Sequence, residues 1–397
     1  SATVSLQAEA GEDQIGGALV RARGAHRLDH LGAQVVSRGD GDYDARLWDA
    51  GHEQVVGSDP SSGDRRVPLK FASQHVRHHV PLYGSIVLLR ARLPEMTCCT
   101  TLGQASPRCP ASMPPSSIAL LNGGAQVGAW LLEEQGIDFY TFTGSTKVGR
   151  IIAELAGRHL KPALLELGGK APLVVLDDAD IDGAVNAAVF GAFMNQGQIC
   201  MSTERIIVDE KIADAFVDKL AARAASLPAG DPRGHVVLGS LVSAQSAEKM
   251  DGLIADAVKK GAKLVAGGKR TGTVVEATVL DRVTPAMRIY QEESFGPVKP
   301  VIRVKGEDEA VRVANDTEYG LSSAVFSKDI RRAMAVAARI ESGICHINGP
   351  TVADEAQMPF GGVKGSGYGR FGGNAAIAEF TDLRWITIED PGQHYPF

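Results

Sequence analysis

Two residues carry the sharpest chemistry. Cys200 ends the segment Gly191-Ala-Phe-Met-Asn-Gln-Gly-Gln-Ile-Cys200, whose small and amide-bearing residues follow a helical stretch and form a loop. A cysteine held in such a loop faces a substrate rather than a core. Its thiolate suits attack on an aldehyde carbon, because sulfur adds readily and later leaves readily from a thioester. Since a lone cysteine is more often an inert buried residue, position alone does not make it a nucleophile. Glu166 lies thirty-four positions upstream in Leu165-Glu-Leu-Gly-Gly-Lys170. An acid between leucines on a permissive backbone is in a setting that raises its pKa toward that of a useful base. By itself this tract reads equally well as an exposed helix-end glutamate with a glycine cap.

The elements that must position these residues are legible from Ile137 onward, where apolar strands alternate with amphipathic helices in the manner of an α/β protein with mostly parallel sheets. The pattern predicts a strand over Ile137 to Thr143, a helix over Lys147 to Ala156 and a buried strand over Ala171 to Leu176. A helix opens at Asp180 with an acidic first turn suited to the helix dipole, and runs to Met194. Further on it predicts a strand over Glu204 to Val208, helices near 211–225, 246–260, 307–315 and 329–341, and strands around 298–304 and 321–326. Three more tracts could carry chemistry. Phe142-Thr-Gly-Ser-Thr-Lys-Val-Gly149 is a strand-to-helix turn whose amides could face phosphates. Glu292-Glu-Ser-Phe-Gly-Pro297 offers a carboxylate able to accept two ribose hydroxyls. Pro359-Phe-Gly-Gly-Val-Lys-Gly-Ser-Gly367 is a glycine-rich approach. Taken singly, they read as an ordinary connection, a solvated acidic loop and a flexible loop.

Composition narrows the function. With 397 residues, 44% apolar and 22% charged, the chain reads as an enzyme with sizeable cores rather than a disordered, fibrous or membrane protein. A net charge of −6 gives no basic footprint for nucleic acid, and no run is apolar enough to span a bilayer. The first residues lack a secretory layout, which makes the cytoplasm the expected compartment. Five scattered cysteines argue against a disulfide framework. Composition breaks near residues 115–120: the first 115 residues hold eleven Arg and one Lys, the remainder fifteen Arg and fourteen Lys. Hydrophobic periodicity before the break is poor. A metal site from His75, His78 and His79 with Cys98 and Cys99 is the functional alternative there, but its spacing is loose, and no metal is expected.

The Glu-Leu-Gly-Gly-Lys and Gly-Gln-x-Cys pair, followed in order by the other tracts, resembles the aldehyde dehydrogenase superfamily over about residues 118–397. The resemblance implies an α/β fold, with an incomplete Rossmann-like cofactor domain plus an α/β catalytic domain carrying a C-terminal oligomerisation strand near Trp385. It divides the chain into an atypical segment at 1–117, the remaining dinucleotide-binding domain at 118–166, the catalytic domain at 167–365, and a return and oligomerisation strand at 366–397. Cys200 is then the nucleophile and Glu166 the base, while Gly144, Ser145, Gly149, Leu167, Glu293 and Phe295 bind NAD, with NADP also open. The tracts from Cys345 to Gly362, Gly367 to Gly373 and Arg384 to Glu389 are most similar to bacterial aryl-aldehyde dehydrogenases of the salicylaldehyde and vanillin type. An aromatic aldehyde is therefore the expected substrate, and a homodimer or homotetramer the expected assembly. His346 and Cys345 read as structural, and Phe371 stands where many members have a glutamate. The family's Pro-Trp-Asn tract and adenosine-binding Lys and Glu have no counterpart in residues 1–117, a segment that reads as a wrong-frame or recombined stretch. The alternative function is a non-catalytic relic, lacking a proper cofactor site, that retains thiol esterase activity.

Overall fold

Side chains that alternate between two apolar clusters build the main sheet. In Ala171–Val175, Leu173 and Val175 join one apolar cluster while Val174 joins another, and Ile206 and Val208 divide from Ile207 in the same way. A period of two is the strand repeat, and burial on both faces fits parallel strands covered by helices. The structure is a computed structural model that describes residues 118–389 and 391–397 and, before them, the backbone of six strands within residues 2–90; side chains are described from residue 121. The proposed ligands His75, His78, His79, Cys98 and Cys99 lie outside the described residues.

The early strands are Ala2–Ala8 (β1), Gly17–Arg21 (β2), Gly32–Ser37 (β3), Tyr43–Asp49 (β4), His52–Val56 (β5) and Gly84–Arg90 (β6). Next come Ile118–Asn122 (β7), helix Ala125–Glu133 (α1), Phe139–Thr143 (β8), helix Thr146–Arg158 (α2) and Ala163–Glu166 (β9). Strand Ala171–Val175 (β10), helix Ile181–Phe193 (α3), strand Thr203–Asp209 (β11) and helices Ala213–Ala225 (α4) and Ala244–Lys259 (α5) follow. Then come strands Lys263–Ala266 (β12), Arg270–Thr271 (β13), Val274–Val275 (β14) and Thr278–Asp281 (β15), and the short helix Arg288–Gln291 (α6). Val298–Val304 (β16), Gly306–Asn315 (α7), Ser322–Phe326 (β17), Ile330–Ala337 (α8), Ile344–Ile347 (β18), Gly367–Tyr368 (β19) and Gly373–Glu379 (α9) complete the order.

One sheet runs β19-β9-β8-β1-β6-β7, with β2 also paired to β8; the other runs β12-β15-β16-β11-β10-β17-β18 and is parallel from β15 to β18. Helices α3 and α4 cover one face of the second sheet through Val185, Phe216 and Leu220, and α5, α7 and α8 cover the other through Leu253, Val313 and Val336. The chain leaves the first sheet at Glu166, crosses through residues 167–170 and enters the second at Ala171. It returns at Gly367, which pairs antiparallel with Glu166.

The predicted elements appear with shifted ends: the strand begins at Phe139 rather than Ile137, and the last long helix stops at Ala337. Residues 381–389, where an oligomerisation strand is expected, carry no ladder within the single chain, and Trp385 is 89% exposed. A strand exists only through its partner, and no described strand of the chain pairs with it.

Candidate active site

Cys200 is delivered by a strained turn. Helix α3 ends at Phe193, after which Asn195 (φ 50°), Gln196 (φ 58°) and Gly197 (φ 73°) are consecutively left-handed. Asparagine and glycine tolerate that region, but glutamine does not favour it, and such strain persists only where its surroundings hold it. Gln198 does part of that holding: its N–H donates to the Asn195 carbonyl (3.0 Å) and its Oε1 accepts from the Val242 N–H (2.9 Å). Gly197 is obligatory for a second reason, since a Cβ there would lie 2.4 Å from the Gly296 carbonyl oxygen.

Glu166 is the last residue of β9, not a helix end, and sits where the chain crosses between the sheets. It is 3% exposed, and neither carboxylate oxygen has a well-formed hydrogen-bond partner. Burial therefore pushes its pKa up to about 8, against the opposing pull of the Arg370 guanidinium and the Gly362 amide. With a pKa near 8 both protonation states are within reach, which is the condition of a base poised near neutrality. The next residues bring it to the cysteine. A Cβ on Gly169 would stand 2.2 Å from the Cys200 carbonyl oxygen, so the two backbones touch at a place where only glycine fits. Cys200 is partly accessible; burial first, then the Glu166 and Glu293 charges, push its thiol up to about 12. The resting thiol is protonated and lies within the field of both carboxyl groups.

The expected cofactor residues gather around the same crossing. Ser145 caps α2, its side chain accepting from the Val148 N–H at 3.4 Å, and the Gly144 N–H donates to the Glu166 carbonyl at 2.9 Å. The first-turn amides of α2 have no carbonyl of their own helix to meet, which suits an anion. A Cβ on Gly149 would lie 2.4 Å from Leu167 Cδ2, so this glycine lets the helix close on the crossing. Glu293 Oε1 accepts from the Gly169 N–H at 2.9 Å, and Oε2 lies over Gly168, which leaves that oxygen for a second partner. Burial raises the Glu293 pKa to about 7. Phe295, beside it, is left-handed at φ 49°, an outlier for an aromatic residue. A carboxylate with a spare oxygen and a helix N-terminus on either side of one glycine-lined crossing fit the nicotinamide-ribose and phosphate parts of a dinucleotide.

Several residues in the site were not singled out from the sequence. Ser366 Oγ donates to the Gly168 carbonyl (2.7 Å) and accepts from the Gly320 N–H (2.9 Å), so the glycine-rich return pins the crossing. Tyr319 lies over Gly168. Arg205, fully buried, donates to the carbonyls of Val313, Ala314 and Lys170. Glu204 is enclosed with Lys170 and Lys299. A signal for the last two existed: Glu204-Arg205 interrupts an otherwise apolar strand, and charges in such a strand are buried unless it is an edge. Among the described residues no group of three His, Cys, Asp or Glu could hold a metal ion, and no helix is long and apolar enough to cross a membrane. Phe371 forms a backbone bridge with Phe360.

Comparison with known proteins finds relatives among the aldehyde dehydrogenases. The vanillin dehydrogenase of Pseudomonas fluorescens is 61% identical over 273 residues, 68% of this chain and 57% of that protein. A crystal structure of a salicylaldehyde dehydrogenase from Pseudomonas putida G7 complexed with salicylaldehyde matches with a TM-score of 0.67 at 57% identity, covering 68% of this chain and 57% of that one. The NADP-dependent glyceraldehyde-3-phosphate dehydrogenase from Bacillus halodurans C-125, complexed with NADP, matches with a TM-score of 0.65 at 40% identity, covering 67% of this chain and 56% of that one. The chain thus spans somewhat over half the length of these relatives. The model of the aldehyde dehydrogenase family matches residues 82–386, beginning ahead of residue 118 where the sequence resemblance was read to start. On the match over most of its length, the chain belongs to the aldehyde dehydrogenase family.

Proposed function

We propose that this protein oxidises an aromatic aldehyde to its carboxylic acid with NAD, through a thioester on Cys200. The observation that carries the reading is that the buried Glu166 acts electrostatically on Cys200 from the glycine crossing between the sheets, which closes on the Cys200 backbone at Gly169. The thiol proton must leave before attack; Glu166, the carboxylate whose charge bears most on the sulfur, takes it and passes it to solvent, which restores the carboxylate for the later step. Cys200 as thiolate adds to the aldehyde carbon, and its own backbone amide is available to the resulting oxyanion. When bound, NAD supplies the acceptor for the hydride released as this adduct becomes a thioester. Glu166 then takes a proton from water, hydroxide adds to the thioester carbon, and the acid departs as Cys200 leaves as thiolate. Glu293 and the α2 N-terminus are the groups that would hold the dinucleotide, with Gly144, Ser145, Gly149, Leu167 and Phe295 shaping its seat. The vanillin and salicylaldehyde dehydrogenase relatives support an aryl substrate, and the hydrolytic base supports acid release. NAD is the cofactor that the aryl-aldehyde resemblance favours, although one relative is complexed with NADP. We read the first sheet as cofactor domain and the second as catalytic domain. Exposed Leu383, Trp385, Ile386 and Ile388 support pairing with a second copy of the chain.

The test is an NAD titration, followed by reduced-cofactor absorbance on adding salicylaldehyde or benzaldehyde, with Cys200→Ala as control. Turnover that the substitution abolishes is expected. A protein that binds no NAD, yet is acylated at Cys200 by an activated ester, would instead be the esterase relic.

A further inference from the structure

Glu204 lies four residues after Cys200, and the mechanism above does not use it. Its carboxylate accepts four hydrogen bonds, from Lys170 Nζ (2.7 Å) and the Ser294 N–H (2.8 Å) at Oε2, and from Lys299 Nζ (2.7 Å) and Ser294 Oγ (2.5 Å) at Oε1. All four residues are buried, at 1% exposure or less. Two of the partners belong to tracts that carry site residues. Lys170 closes the crossing that begins at Glu166, and its Nζ also donates to the Glu292 carbonyl at 2.5 Å. Ser294 stands between Glu293 and Phe295. Replacing such a buried ionic cluster by apolar residues of like volume is often neutral or stabilising, so stability alone does not account for it.

Resting on the reading of Glu293 as the ribose ligand, we propose that Glu204 is a positioning residue that sets cofactor affinity. It grips Ser294 by both its N–H and its hydroxyl and draws Lys170 onto the Glu292 carbonyl, and so fixes Glu293 on both sides. Glu293 is thereby held against the Gly169 N–H, with Oε2 turned to the place where a ribose would lie. Cys200 is placed by other contacts: Gly169 at its carbonyl, and the left-handed turn before it.

Two double variants separate this role from a structural one. Glu204→Leu/Lys299→Met removes both ion pairs of Glu204 together with every hydrogen bond that its carboxylate accepts from Ser294 and Lys170. Glu204→Gln/Lys299→Met removes the same charges, but its amide can still accept from Lys170 and the Ser294 N–H and donate to Ser294 Oγ. NAD dissociation constants are measured by calorimetry, and Cys200 alkylation by iodoacetamide is followed by mass spectrometry. The leucine pair is expected to weaken NAD binding about tenfold more than it changes the alkylation rate, while the glutamine pair stays within about threefold of the parent in both, as expected for lost and kept hydrogen bonds to charged groups. If the leucine pair does not fold, Glu204→Gln alone, which sets an amide NH2 against an ammonium, is expected to show the same split. Equal NAD affinity in parent and leucine pair would overturn the inference, as would equal loss in the two pairs or a parallel fall of binding and alkylation. A parent protein that binds no NAD overturns the dehydrogenase reading itself and this inference with it.

Discussion

Replacing Glu166 by Gln tests the base and its environment together. With a pKa of about 8, the carboxylate is roughly one-tenth ionised at pH 7 and roughly nine-tenths at pH 9, so water activation should accelerate roughly tenfold across that interval. An ordinary glutamate, near 4.5, is fully ionised throughout and gives no rise. The assay isolates deacylation: Cys200 is loaded with p-nitrophenyl acetate, excess ester is removed, and the return of the free thiol is timed from pH 6 to pH 9. The sulfur is blocked during that step, so its own titration does not enter. Glu166→Gln should deacylate at least about a hundredfold more slowly at pH 9, in the range typical of a lost general base, and with a flat profile. A flat wild-type profile, or a variant that keeps the slope, would refute the argument. Stability runs in the opposite sense. The folded pKa lies above the unfolded value, so the stability linked to the protonated carboxyl is complete below pH 4.5 and declines as the pH climbs to about 8. Glu166→Gln, which has no charge to bury, should therefore melt higher than the parent above pH 8.

Gly169→Ala puts a methyl group 2.2 Å from the Cys200 carbonyl oxygen, and moving that backbone by an ångström should slow acylation about a hundredfold; a parent-like burst of p-nitrophenol would contradict this. Arg205→Ala leaves the Val313 and Ala314 carbonyls without their buried partner and should cost about 3 kcal/mol or more in urea unfolding, whereas an unchanged midpoint would show that the cluster relaxes freely. Deleting residues 383–397, with their exposed Leu383, Trp385 and Ile388, should reduce the mass seen by light scattering to that of one chain if this tail pairs two copies. An oligomer that survives the deletion places the contact elsewhere.

What could be read from the sequence was local. Cys200 and Glu166 stand in tracts whose neighbours mark them as candidates, and the strands Ala171–Val175 and Thr203–Asp209 follow from composition within a few residues. Glu166 was ambiguous between a helix end and a poised base, because its burial depends on Gly367 pairing across from it. Glu204 and Lys299 were missed for the same reason: each charge looks tolerable only once the other, ninety-five positions away, is known to face it. The left-handed Gln196 and Phe295 carry no sequence mark, since both conformations are imposed by what packs around them. The stretch around Trp385 has a strand-like composition, but strand form there needs a ladder that the described residues of one chain do not supply.

The pairing of Gly367 with Glu166 also sets an order of events in time. As the chain is synthesised from its N-terminus, Glu166 and Cys200 emerge well before the segment that seals the base. Until that segment docks, the carboxyl stands in water with ordinary acidity, and the nucleophile exists without its tuned partner. On the proposed mechanism, a product cut short before Gly367 would keep a thiol to acylate and a carboxylate ionised across neutral pH, and its deacylation would lose the rise with pH that burial confers. The returning segment is thus, on that mechanism, as much a part of the base as the carboxyl itself.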